Sequence, residues 1–198
     1  MKKLMVLLLV ACLPLACGGG KTVTRLDTES VTDLSGKWND TDSRLVAEEM
    51  ISDALSRPWL VNYIEENGQK PVVTVGTIRN LTNEHIAMET FVSDFERELL
   101  NSGSVKFVAS KEARAEIREE RQEQQEFASR ETAKRMREET GADFILQGAI
   151  KTIVDQEGSN QVVFYQTDLE LINIESMEKV WIGNKKIKKG ISQGSRKW

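Results

Sequence analysis

Few residues in this sequence are typed and spaced for chemistry. Asp168 and Glu170 alternate along a predicted strand, so their carboxyls share one face. Paired carboxylates can do acid–base work on glycosidic bonds. An outward polar strand face accounts for the same pair without catalysis, and we adopt that reading. His85 is the single histidine, so a His-based zinc site or a Ser-His-Asp triad would have to rest on it alone. No Gly-rich phosphate loop, P-loop lysine or zinc signature is present. The chemistry-bearing residues therefore predict no catalytic group, no metal site and no cofactor, and the protein reads as a non-enzyme.

The only two cysteines, Cys12 and Cys17, lie near the N-terminus. Lys2 and Lys3 form a basic start, and Leu4 to Leu15 an apolar run of about a dozen residues, as in a secretory signal. A membrane-spanning helix needs about 20 residues. The segment Leu13-Pro14-Leu15-Ala16-Cys17 resembles a bacterial lipobox, in which the peptide is cut before a cysteine that becomes acylated. Cys17 is the expected lipid-attachment residue, with Cys12 in Leu9-Val10-Ala11-Cys12 as the alternative. An ordinary secretory signal cut elsewhere is a further reading. Each buried methylene contributes about 0.8 kcal/mol, so several acyl chains anchor firmly. No aspartate follows Cys17 early, so the lipobox resemblance implies the outer membrane.

Length and composition suit one folded domain plus short flanks: 198 residues, 39% hydrophobic and 29% charged, with three prolines. The net charge is −4. Cutting before Cys17 would remove Lys2 and Lys3 and leave the chain two units more negative. That balance gives no reason to expect nucleic-acid binding. The sequence divides into a signal peptide (1–16), a flexible tether (17–30) with three adjacent glycines, and a globular domain (31–198).

Within the domain, Asp33–Asp42 reads as a loop of turn formers around Trp38. Ala47, Met50, Ile51, Ala54 and Leu55 predict an amphipathic helix over 43–56. Pro58 opens a short helix with Trp59, Leu60, Tyr63 and Ile64 as its apolar stripe. Lys70–Arg79 is β-branched and predicts a strand. Met88, Phe91, Val92, Phe95 and Leu99 mark a helix ended by Asn101-Ser102-Gly103. Val105–Val108 is a short strand. Ser110–Thr140 predicts a long, mostly solvated helix, either continuous or broken near Gln122–Gln125, that covers one sheet face or binds a partner. The pairs Glu126/Arg130 and Glu131/Arg135 support it. Phe144, Leu146, Ile150 and Val154 share a strand face, Gln156–Asn160 is a hairpin turn, and Gln161–Ile174 and Lys179–Lys188 complete a meander. This order describes an α/β (α+β) fold: a single two-layer domain, one mixed sheet with helices packed mainly on one face.

Three features allow two readings each. Trp38 packs the tether's exit against the domain, or anchors a partner. In Arg79–His85 (RNLTNEH), Thr82 or Asn83 caps the following helix, while Arg79, Asn80 and His85 are candidates for a polar docking patch. The C-terminal lysines Lys185, Lys186, Lys188 and Lys189, with Arg196 and Lys197, protect an edge strand or meet anionic lipid, glycan or an acidic partner.

The stretches Asp33–Met50, Arg57–Leu60, Gly68–Gly76, Ile78–Ile86, Gly141–Ile150, Tyr165–Leu171 and Val180–Trp181 together resemble the LpoB family of penicillin-binding-protein activators. They follow the family's order across nearly the whole domain. The resemblance implies a fold like the N-terminal domain of TolB. It implies an outer-membrane lipoprotein, a monomer facing the periplasm. Such a protein docks on a class A penicillin-binding protein and stimulates peptidoglycan synthesis. One departure stands out: about 15 residues separate Cys17 from the domain and extend roughly 50 Å, and the domain adds about 40 Å. Family members of this kind carry a long tether. The alternative is a lipid-anchored envelope assembly or structural protein with the same fold and a different partner.

Overall fold

The computed structural model describes residues 22–128 and 139–192, with only the backbone of residue 112. Both candidate acylation cysteines, the Arg130, Glu131 and Arg135 positions of the charged stretch, and Arg196 and Lys197 lie outside the described residues. The chain divides into two units, one ending at Ser30 and one running from Val31. In the first, residues 22–30 hold no helix or strand, and Ser30 closes a turn by donating its N–H to the Asp27 carbonyl.

The second unit starts its helices early. α1 spans Asp40–Leu55, three residues sooner than the spacing predicts. The cause is a capping box. The Asn39 side chain accepts the Asp42 N–H, and the Asp42 carboxylate accepts the Asn39 N–H. Two otherwise unpaired donors of the first turn are thereby satisfied. Val46, Ala47, Met50, Ile51 and Ala54 form its buried face. α2 (Pro58–Asn67) opens on proline and ends at Gly68, whose φ of 68° suits a residue without Cβ. Trp59 and Leu60 are buried, but Ile64 of the expected stripe stays exposed. α3 (Met88–Asn101) buries Phe91, Phe95 and Leu99 on one face.

The strands are β1 (Val72–Leu81), β2 (Lys106–Phe107), β3 (Phe144–Glu157), β4 (Asn160–Asn173) and β5 (Lys179–Ser192). They form one mixed sheet in the order β2-β1-β3-β4-β5. β1 runs parallel to β2 and β3, and β3, β4 and β5 form an antiparallel meander. A bulge at Gly76–Thr77 shifts the β1–β3 register. β5 continues to Ser192, four residues past its expected end, because its ladder with β4 runs on to the hairpin. Odd-numbered residues of β4 face the helices. Tyr165, Thr167, Leu169 and Leu171 are buried with Phe144, Leu146 and Ile150 of β3 against α1, α2 and α3. Val154 shares their parity but is exposed.

α4 (Lys111–Phe127) is shorter than expected and lies differently. It is unbroken through Gln122–Gln125 and ends at Phe127, with Ala128 extended. It also supplies no buried residue among those described, so it is not a lid over the sheet. Its apolar positions are too sparse: Ile117 and Phe127 both remain exposed. A two-pronged ion pair from Arg118 to Glu139, at 2.7 and 2.8 Å, holds it to the chain before β3. Among the described residues no helix is long and apolar enough to cross a membrane.

Gly148 is the tightest point of the meander. A Cβ there would sit 2.0 Å from the Asp168 carbonyl oxygen, which belongs to backbone and cannot rotate away. Gly148→Ala should lower the unfolding free energy by about 3 kcal/mol, the upper end of the overpacking range. A fall in the urea midpoint at unchanged slope checks it.

Candidate docking corner and open sheet face

The loop before α1 is held by one buried cation. Lys189 Nζ on β5 lies 2.6 Å from Asp33 Oδ1, 2.6 Å from Asp42 Oδ2 and 3.1 Å from the Lys37 carbonyl. The Lys189 and Asp42 side chains are only 9% and 6% exposed. Burial alone would lower the Lys189 pKa, but its bonds to Asp33 and Asp42 outweigh it and raise the value. The same bond holds Asp33 below its ordinary value. Gly36 passes so close to Ile191 that a Cβ would meet its side chain at 2.4 Å. The loop Asp33–Asn39 is thus clamped onto β5. Lys189, expected among solvated edge lysines, is instead a structural cation.

Trp38 sits at the end of that clamp, half-buried. Its Nε1–H donates to Ser43 Oγ at 2.8 Å, and its ring meets Phe91 and Tyr165 edge-on at 5.5 and 5.4 Å. Its backbone N–H donates to Glu84 Oε2 at 3.1 Å, while Glu84 Oε1 accepts the Tyr165 hydroxyl at 2.6 Å. Burial raises the Tyr165 pKa, and the Glu84 carboxylate raises it further, because a phenolate there would face an anion. Glu84 therefore joins three segments: the Trp38 loop, the loop after β1, and β4.

The Arg79–His85 segment is closed from within. Asn80 Nδ2 donates to the Glu84 carbonyl at 2.8 Å, and Asn80 Oδ1 accepts the Thr82 N–H at 3.0 Å and the Thr82 hydroxyl at 2.7 Å. Neither Thr82 nor Asn83 caps α3, contrary to expectation. The N-cap is Ala87, without a side-chain bond, since α3 starts too far along the chain for either to reach. Asn80 is an internal brace, while Arg79 and His85 are exposed. The candidate residues fall into two kinds: Trp38 and Asn80 build the corner, and Arg79 and His85 present it.

The sheet's other face carries ion pairs. Lys151 meets Asp168 at 2.9 Å and Lys179 meets Glu170 at 2.6 Å, with Gln166 and Gln147 donating to the same two carboxylates. Burial would raise the Asp168 pKa, but Gln166 and Lys151 hold it below its usual range. Lys179 and then Gln147 lower Glu170. A general acid acting on glycans needs a raised pKa; these carboxylates are tuned the opposite way, toward permanent negative charge. Among the described residues no group of three His, Cys, Asp or Glu is placed to hold a metal ion.

Sequence reasoning missed Glu84, Tyr165, Asp42 and Lys189 as site residues. An outward Asp168 and Glu170 would put Tyr165 on the inner side of β4, but nothing local identifies its partners.

The model of the family described as peptidoglycan-synthase activator LpoB matches residues 42–187. Among solved structures, the C-terminal domain of LpoB from Escherichia coli is similar at 17% identity and a TM-score of 0.39, covering 77% of this chain and 99% of that one. The NMR structure of E. coli LpoB has 12% identity and a TM-score of 0.41, covering 97% and 91%. Lipoprotein GNA1162 from Neisseria meningitidis has 10% identity and a TM-score of 0.36, covering 64% and 88%. No curated protein matches the chain.

Lys189→Met should cost roughly 3 kcal/mol, because it strands a buried Asp42 beside Asp33. The pKa values of Lys189, Tyr165 and Tyr63 are raised in the folded chain, that of Tyr63 to about 12 by burial and then Asp143. Their contribution is complete below about pH 10 and is lost as pH rises through the folded values. The melting temperature should therefore start to fall near pH 10. Lys189→Met and Tyr165→Phe should each flatten that fall, as thermal melts across pH 7–11 would record.

Proposed function

The chain belongs to the LpoB family, and on that footing we propose that it is a lipoprotein anchored through Cys17 in the outer membrane. We infer that it works as a monomer facing the periplasm. There it docks on a class A penicillin-binding protein and raises its glycosyltransferase and transpeptidase turnover. The observation that carries this reading is the extent of the family match, from α1 into β5. No catalytic group of its own enters the mechanism. A regulator that works by touch raises turnover only by binding the active form of its target more tightly than the resting form. A tenfold activation needs about 1.4 kcal/mol of such difference.

The corner is suited to that task. Arg79 and His85 stand exposed beside Leu81, which is 52% exposed, and the loop beneath them is fixed by Asn80, Thr82 and Glu84. A rigid support loses little entropy when it docks. In this reading Arg79 and His85 touch the synthase. Asn80 and Trp38 act from below, holding the loop and Glu84 in place.

Two measurements check the proposal. In a lipid II polymerisation assay with the cognate synthase, the chain should accelerate glycan polymerisation. Arg79→Glu combined with His85→Glu should weaken the complex about tenfold at an unchanged melting temperature. Absence of both binding and acceleration would defeat it. In that case crosslinking in intact cells would identify the other envelope machinery favoured by the short tether. Separately, the intact mass of the mature N-terminal peptide should show acylation on Cys17. An unmodified thiol at that position, or acylation on Cys12, would refute the assignment.

A further inference from the structure

β5 forms one edge of the sheet. Its inner side is laddered to β4 from Asn160↔Ser192 to Ile172↔Lys179. Among the described residues, no backbone hydrogen bond reaches its outer side. β5 is 14 residues long. Such an edge is a template for any extended chain that its side chains admit.

Those side chains select by charge. Residues 179–192 contain Lys179, Lys185, Lys186, Lys188 and Lys189 and no acid. Three are engaged within the domain: Lys179 with Glu170, Lys185 with Glu49, and Lys189 with Asp33 and Asp42. Lys186 and Lys188 differ. They are exposed, two residues apart, and share the open face. Their inward neighbours across the ladder are Gln166 and Phe164, neither of them acidic. Asp168, diagonal to Lys186, feels its charge, but the Asp168 ion pair is made with Lys151, and Lys186 has no carboxylate directly beside it on the inner flank. The flank left to bring carboxylates beside both lysines is the outer one.

We propose that the outer edge of β5 accepts an extended acidic segment of a partner polypeptide as a sixth strand, with two carboxylates spaced two residues apart opposite Lys186 and Lys188. Backbone bonds supply the affinity, as in other strand additions. The two cross-strand ion pairs set the register. Ile182, 66% exposed on the same face as the two lysines, offers the incoming strand an apolar neighbour. The same lysines disfavour a second copy, because pairing β5 with β5 would bring two lysine-rich strands together. This inference goes beyond the synthase reading and does not depend on which enzyme is activated.

The test uses the full chain with a ten-residue peptide of alternating Thr and Glu. Peptides of alternating Thr and Gln or Thr and Lys serve as comparisons. The acidic peptide should bind and slow hydrogen exchange at the outward amides of β5 about tenfold or more. The Gln peptide should bind about tenfold more weakly, and the Lys peptide not at all. Lys186→Glu with Lys188→Glu should reverse that preference. If that variant fails to fold, Lys186→Gln with Lys188→Gln should remove the preference without reversing it. Four results would each overturn the inference. They are no binding of the acidic peptide, binding without protection of β5, equal binding of all three peptides, and concentration-dependent protection of β5 without peptide.

Discussion

An ammonium group inside a protein destabilises it unless carboxylates surround it, and then removing either partner is worse than having neither. Lys189 is in that position. Its Nζ lies between Asp33 and Asp42, with the Lys37 carbonyl as a third acceptor. Asp42 is at once the capping-box residue of α1 and a ligand of this ammonium. The start of the first helix, the loop before it and the last strand are therefore tied to one charge. Gly36 lets the loop lie flat against Ile191 at that point.

The clamp fixes the entry of the chain into the domain, and a second link carries that order to the exposed corner. Trp38 follows the clamped loop and donates its backbone N–H to Glu84. Glu84 also takes the Tyr165 hydroxyl and sits in the loop that Asn80 braces. Arg79 and His85 are thus presented by a scaffold whose order starts at Lys189. A loop ordered beforehand does not have to be ordered by whatever binds it.

The two sheet faces divide the labour. Aromatic and aliphatic side chains on the helix side make the core, with Phe91 and Phe95 edge-to-face at 4.8 Å. The other side pairs Lys151 with Asp168 and Lys179 with Glu170, so its carboxylates are held charged rather than poised to give up a proton. Exposed ion pairs of this kind add little to stability, about 0–1 kcal/mol each. Their effect is on the character of the surface, which they keep charged.

Local pattern was enough to place most elements. The spacing of Phe91, Phe95 and Leu99 marked α3, Pro58 marked the start of α2, and the alternation of Asp168 and Glu170 marked the outward side of β4. The mixed two-layer architecture and the LpoB resemblance were legible too, because they rest on periodicities and motifs within a few residues of one another. The end of α4 was not, since a charged helix with a thin apolar stripe carries no stop signal before Ala128. The roles of single polar residues were also hidden. Lys189 meets Asp42 across 147 residues, and Tyr165 meets Glu84 across 81. A lysine in an exposed alternating strand looks the same in sequence whether its ammonium meets water or two carboxylates. Strand register and the path of a distant loop decide which it meets, and those exist only once the chain has folded.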